Sequence, residues 1–166
     1  MKRILDSAYK SDLTPNHYLA GKLLVAMPFM TDNRFDHTVI YLCGHDEHGA
    51  IGLAINKPLN SLTFFDLLHQ LDIRHLPTAR PVQMLAGGSV EVSRGFVLHS
   101  EDYQSDSTVK SGNHYSITAT LDILRSLAVG KGPRKFVLAL GYVGWRAGQL
   151  EPVSYTHLTL PTKRIV

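Results

Sequence analysis

The sequence predicts a single α+β domain, and three observations point there. Runs rich in β-branched and aromatic residues dominate the chain. Only two segments carry the apolar stripe of a helix. Those two fall unevenly among the strands, without the regular βαβ alternation of a parallel doubly wound sheet. The length of 166 residues suits one hydrophobic core, and 44% apolar with 19% charged residues is a globular balance.

Residues 1–19 are polar and mixed and read as a lead-in with a short helix. Residues 22–26 (KLLVA) form a buried-strand candidate stopped by Pro28, which has no amide hydrogen to donate, and 32–36 follow as a polar loop. Residues 38–43 (TVIYLC) are the strongest strand, and 44–49 (GHDEHG) read as a longer turn into a second strand over 50–55. After the Lys57-Pro58 stop, residues 62–71 place Phe64, Leu67, Leu68 and Leu71 on one helical face, with Ser61 as N-cap. A proline-bracketed loop spans 75–80, a short strand 82–85 ends at Gly87-Gly88, and 95–99 (GFVLH) is another strand. Residues 101–113 read as a flexible polar loop and 115–118 as a short strand. Thr120 caps a helix running to Ala128, with Leu121, Leu124, Leu127 and Ala128 as its apolar face and Gly130 as its stop. Residues 135–140 (KFVLAL) are a buried strand, 141–148 a glycine-rich loop, and Gln149 opens a further helix.

Composition narrows the function classes. No apolar run reaches the roughly 18–20 residues that span a bilayer, and the start, MKRILDSAYKSD, lacks the apolar stretch of a secretory signal. The one cysteine, Cys43, has no internal partner for a disulfide, so the reading is a cytoplasmic chain without membrane partners. The formal charge of +3 invites a nucleic-acid reading. However, residues 152–166 contribute Lys163 and Arg164 and no acid, and removing them leaves 15 basic against 14 acidic side chains. That near-neutral balance, together with helices carrying at most Arg125, argues against direct nucleic-acid binding. The same tail, PVSYTHLTLPTKRIV, resembles a translated sequencing-library adaptor: VSYTHLTLPT fits GTC TCT TAT ACA CAT CTG ACG CTG CCG ACG. Residues 152–166 are accordingly expected to be non-native and are left out of the fold assignment. Residues 20–151 are then a C-terminally truncated domain, and residues 1–151, left with an unpaired sheet edge, are expected to aggregate or to be partly disordered.

Four segments carry a family resemblance: LLVAMP (23–28), RFDHTVIYLCGHDEHGAIGLAINKP (34–58), GGSVEVSRGFVLH (87–99) and ALGYVGWRAGQLE (139–151). In this order and spacing the chain resembles the YqgE/AlgH family. The resemblance implies a mixed, bifurcated β-sheet curled toward a pseudo-barrel with a few flanking helices, in a bacterial cytosolic protein. It brings the label of transcriptional regulator, without an assigned reaction.

Candidate chemistry is sparse. Cys43, His45 and His99 have ligand or nucleophile–base chemistry, with Cys43 and His45 expected on one strand face, but no CxxC or HExxH spacing supports a metal. Cys43 reads better as a small buried residue and Asp46 and Glu47 as a solvated acidic turn. Lys57, in the Asn56-Lys57-Pro58 turn, and the guanidinium groups of Arg34 and Arg94 are candidate anion contacts, although turn and ion-pair roles are the favoured reading of all of them. Gly95 beside Arg94 suggests a close backbone approach. Gly141, Gly144 and Gly148 lack GxGxxG spacing, so they read as turn glycines and no cofactor is expected. The sequence thus supports a non-enzymatic binding or regulatory protein. Its expected concave surface comprises the Arg34 loop, the 44–49 and 56–58 turns and the 87–95 loop, and Arg34, His45, Asn56, Lys57, Arg94 and His99 are the candidate contacts for a protein or a small anionic ligand. A metal- or thiol-dependent enzyme using Cys43, His45 and His99 is the alternative.

Overall fold

A computed structural model describes residues 19–26, 37–150 and 158–159. The lead-in, the Pro28 stop, the 32–36 loop with Arg34, and most of the expected non-native tail lie outside the described residues. In chain order the elements are β1 (Leu23–Ala26), β2 (Val39–Asp46), β3 (Gly49–Ala54), α1 (Phe64–Gln70), β4 (Met84–Ala86) and β5 (Val90–Ser100). They continue with β6 (Val109–Ser111), β7 (Tyr115–Thr118), α2 (Leu121–Ala128), β8 (Phe136–Arg146) and β9 (Leu158–Thr159).

The strands form one sheet in the order β6-β7-β5-β8-β3-β2-β1-β9, with β4 added beside β8. Every pairing is antiparallel except β4 on β8. β8 is where the sheet forks. It pairs with β5 along residues 136–142, with β4 through 138–140 and with β3 through 143–146. The expected mixed, bifurcated sheet is therefore present. Its curl is equally direct, because β6 at one edge meets β2 near the other: the Tyr41 hydroxyl donates to the Ser111 carbonyl at 2.8 Å, and Ser111 Oγ donates to the Cys43 carbonyl at 2.8 Å. Gly21 (φ +82) and Gly112 (φ +68) complete the seam, where a Cβ on Gly21 would stand 2.9 Å from the Gly112 Cα.

Strand alternation divides the core. On β2, β5 and β8, Tyr41, Cys43, Phe96, Leu98 and Ala139 point into the curl, while Val97, Leu138 and Leu140 pack outward beneath α1 and α2. A third cluster, including Ile40, Leu42, Ala50 and Trp145, lies on the other face of the β2–β3 hairpin. α1 buries Phe64, Leu67 and Leu68 as its spacing predicts, each such side chain contributing about 1.5–3 kcal/mol.

Several boundaries differ from the sequence reading. α1 is capped by Thr63, not Ser61: Thr63 and Asp66 form a reciprocal capping box that Ser61 has no partner to make. In α2 the buried face is Ile123, Leu124 and Ala128, and Leu121 is exposed. The expected 101–113 loop contains β6, which pairs with β7. The expected 141–148 loop is largely strand, since β8 runs to Arg146 before a turn at 147–149 leads to a helical residue at Leu150. β9 falls within the tail, and its two residues pair with β1 (Val25↔Thr159, Ala26↔Leu158).

The 44–49 segment is the most informative difference. Only Glu47 and His48 form the turn, while His45 and Asp46 are buried strand residues. Asp46 Oδ1 accepts from the His48 amide at 2.7 Å and Gly49 takes φ +139, which together tighten the hairpin. The side chain of Asp46 is therefore not solvated.

Candidate functional site

A β-bulge decides the fate of the cysteine–histidine cluster. The β2–β3 register shifts between Leu42↔Gly52 and Gly44↔Ile51, leaving Cys43 as the extra residue. Cys43 packs into the curl with Ile51, whereas His45 pairs with Ala50 on the opposite face and accepts from the Leu19 amide at 3.0 Å. The shared face expected for Cys43 and His45 does not occur, because an extra residue reverses the alternation beyond it. His99 lies on the outward face of β5 beside Tyr103, with ring centroids 5.5 Å apart. The three are thus not brought together, and among the described residues no group of three or more His, Cys, Asp or Glu is placed to hold a metal. Burial also pushes the Cys43 thiol far above its ordinary range, which disfavours the thiolate a nucleophile requires.

His99 is held at both nitrogens. Nδ1 lies 2.7 Å from the Ser100 carbonyl and Nε2 2.8 Å from Thr118 Oγ1. A carbonyl only accepts, so Nδ1 carries the proton and Thr118 donates to Nε2. Burial lowers the pKa of His99, consistent with this neutral form. Behind it runs a hydroxyl network missed in the sequence: Thr118 meets Thr108 at 2.9 Å, Thr108 meets Ser105 at 3.1 Å, and Ser107 meets Thr120 at 3.0 Å. Its one local signal is Thr118 and Thr120 two residues apart opposite a serine/threonine-rich loop.

The other candidates have structural partners. Asn56 clamps the start of β2, accepting from the Val39 amide at 2.8 Å and donating to the His37 carbonyl at 2.7 Å. The Lys57 carbonyl accepts from the Ala86 amide at 2.8 Å. Arg94 reaches Glu91 at 3.4 Å and lies 5.6 Å above the Phe96 ring. The close backbone approach expected at Gly95 is absent, because a Cβ there would meet only Leu138 and Leu140 methyls at ordinary distances. It occurs instead at Gly88 and Gly141, where β5 bulges and residues 91–94 stand opposite Gly141 alone.

The expected concave surface is not assembled as one unit. The Glu47–His48 turn and the 56–58 turn lie at opposite ends of β3, roughly 20 Å apart at about 3.4 Å per residue. Among the described residues, a cleft of about 440 Å³ lies at the open end of the curl. Leu23, Tyr41, Ile55, Leu98 and Val137 form its floor, all from the inner core cluster. Asn113 and His114 from the β6–β7 turn, Tyr115 at the start of β7 and Lys135 form its rim, and His99 also lines it. Of the site candidates singled out from sequence that lie among the described residues, only His99 lines this cleft. The Tyr41 and Tyr115 rings meet edge to face with centroids 6.1 Å apart, joining floor to rim. Lys135 is fixed at its backbone: its amide donates to Ser100 Oγ at 3.2 Å, and its carbonyl accepts from the Ser100 amide at 2.9 Å.

Comparison with known proteins agrees with this architecture. A family model described as AlgH-like matches residues 23–152. A UPF0301 protein of Methylocella silvestris is 54% identical over 142 residues, covering 81% of this chain and 69% of that protein. A UPF0301 protein of Rhodospirillum rubrum is 48% identical over 149 residues, covering 89% and 78%. The solution structure of the AlgH protein from Pseudomonas aeruginosa superposes with a TM-score of 0.76 at 38% identity, covering 91% of this chain and 80% of that one. A crystal structure from Corynebacterium diphtheriae shares the fold at TM-score 0.68 and 16% identity, covering 95% and 82%.

Proposed function

This chain belongs to the AlgH-like family, and from that premise we propose that it is a non-enzymatic binding or regulatory protein whose ligand occupies the cleft at the open end of the curled sheet. The observation that carries the reading is the cleft itself: an apolar floor continuous with the inner core and a rim of a few polar groups. Such a recess at the mouth of a barrel-like sheet is where small ligands are commonly held. The thiol- or metal-dependent alternative loses support from the separation of Cys43, His45 and His99 and from the buried, protonated state of the thiol. Regulation of transcription, if it follows, would act through a partner. α1 has no lysine or arginine, and Arg125 of α2 is paired with Asp122 at 3.1 Å, so neither helix offers the basic face that major-groove reading uses. The cytosol is the compartment we assign, on the lone cysteine. No helix among the described residues is long and apolar enough to cross a membrane.

The test is retention of a small molecule. The full chain and a Val137→Trp variant, which fills the cleft, are passed through a bacterial metabolite extract and the bound species read by mass spectrometry. Ile55→Trp serves as a second filled variant should Val137→Trp fail to fold. The proposal predicts species retained by the parent and lost from a folded filled variant. Identical retention by both would remove the cleft from the account.

A further inference from the structure

We propose that the cleft selects a small carboxylate with an apolar body, its carboxylate at Lys135 and His114 and its body against Tyr41, Leu98 and Val137. This rests on the reading of the cleft as the binding site and adds the chemical class of the ligand. The volume of about 440 Å³ is within the range of small-molecule sites.

The polar groups available to a ligand are confined to the rim. Tyr41 lines the floor, but its hydroxyl is committed to the Ser111 carbonyl, so a ligand meets its ring. His99 has both nitrogens engaged by Ser100 and Thr118. Among the described residues, the remaining polar side chains that line the cleft are those of Lys135, His114, Asn113 and Tyr115.

The sign of the site follows from which residues line it. Among the described residues, no aspartate or glutamate does. The neighbouring acids are already occupied. Asp102 accepts from Ser100 Oγ and from the Arg134 amide, and Glu101 lies 3.7 Å from Lys110. Among the described residues, Lys135 has no ion-pair partner. Its backbone is anchored by two bonds to Ser100, which sets the residue beside the apolar recess while its side chain stays exposed. An anion arriving there gains a charge-assisted hydrogen bond while its body leaves water. One ammonium with an imidazole matches a carboxylate better than a phosphate, for which the described cleft offers neither a helix N-terminus nor an arginine.

The test uses three probes of one shape, 4-phenylbutyrate, its uncharged amide and the corresponding amine, titrated calorimetrically into the full chain. The carboxylate is expected to bind about tenfold more tightly than the amide, with the amine weakest. Lys135→Gln should abolish the preference for the carboxylate over the amide while leaving amide binding unchanged, and Lys110→Gln should preserve it. Equal affinity for carboxylate and amide, with both blocked by a folded Val137→Trp variant, would overturn the carboxylate assignment and leave the cleft reading standing. No binding of any probe would also overturn it, and the extract experiment would then judge the cleft alone.

Discussion

The glycines carry the sharpest stability prediction, because one substitution type has opposite consequences at positions that look alike in sequence. A Cβ at Gly88 would lie 2.1 Å from the carbonyl carbon and oxygen of Tyr142 and 2.5 Å from the Val143 nitrogen. These are backbone atoms of β8, the strand at the fork of the sheet, and they cannot rotate away. Gly88→Ala must therefore move the strand or break its pairing, and a loss above about 4 kcal/mol is expected. At Gly95 the new methyl would touch only Leu138 Cδ1 at 3.8 Å and Leu140 Cδ2 at 3.9 Å. Gly95→Ala should thus be neutral or stabilise by roughly 0.4–1 kcal/mol, through the unfolded chain. Gly130 separates strain from collision: φ is +74 with nothing within 4 Å, so Gly130→Ala should cost only about 1–2 kcal/mol. Urea unfolding followed by tryptophan fluorescence measures all three, with Trp145 as the reporter. A Gly88→Ala protein within about 1 kcal/mol of the parent would refute the backbone-crossing explanation.

Other perturbations test the remaining assignments. Cys43 should resist a thiol reagent in the folded protein and react on unfolding. Cys43→Ser should destabilise by about 1–3 kcal/mol by burying a hydroxyl, measured by the same urea series. Asn56→Ala loses two hydrogen bonds to the start of β2 and should cost about 1–3 kcal/mol, with Asn56→Asp also destabilising because a carboxylate would face the His37 carbonyl. Asp102 is held below the usual carboxylate range by the Ser100 hydroxyl and the Arg134 amide. A depressed folded-state pKa means its contribution is present at neutral pH and fades as pH falls below about 4 through the folded value. The stability gap between the parent and Asp102→Asn should therefore narrow on acidification, which thermal melts across pH will report.

Legibility in the sequence followed the range of the interactions. β7 and the helices were readable because their signals are local: alternation in YSIT, and the 3–4 spacing of Phe64, Leu67 and Leu68. The ends of β2 and β8 were not, because glycine and acidic residues mimic turns. Gly49 and Gly141 are strand glycines that admit a bulge or a tight hairpin, and Asp46 turns inward to cap its own turn. The Cys43 bulge has no signature in TVIYLC, yet it reverses the face of His45 and so dissolves the cluster that looked richest in chemistry. The cleft was least visible. Leu23, Tyr41, Ile55, Leu98, Tyr115 and Lys135 come from separate segments and converge only when β6 closes on β2, so no motif spacing records them.

The central claim is that the open end of the curl is the working surface. It is tested most directly by titrating the ¹⁵N-labelled full chain with 4-phenylbutyrate and following every backbone amide by NMR. Saturable shifts concentrated at Tyr41, Leu98, 113–115 and 135–137 are predicted. Cleft amides that stay in place while the Glu47–His48 hairpin and Arg146 respond would contradict it.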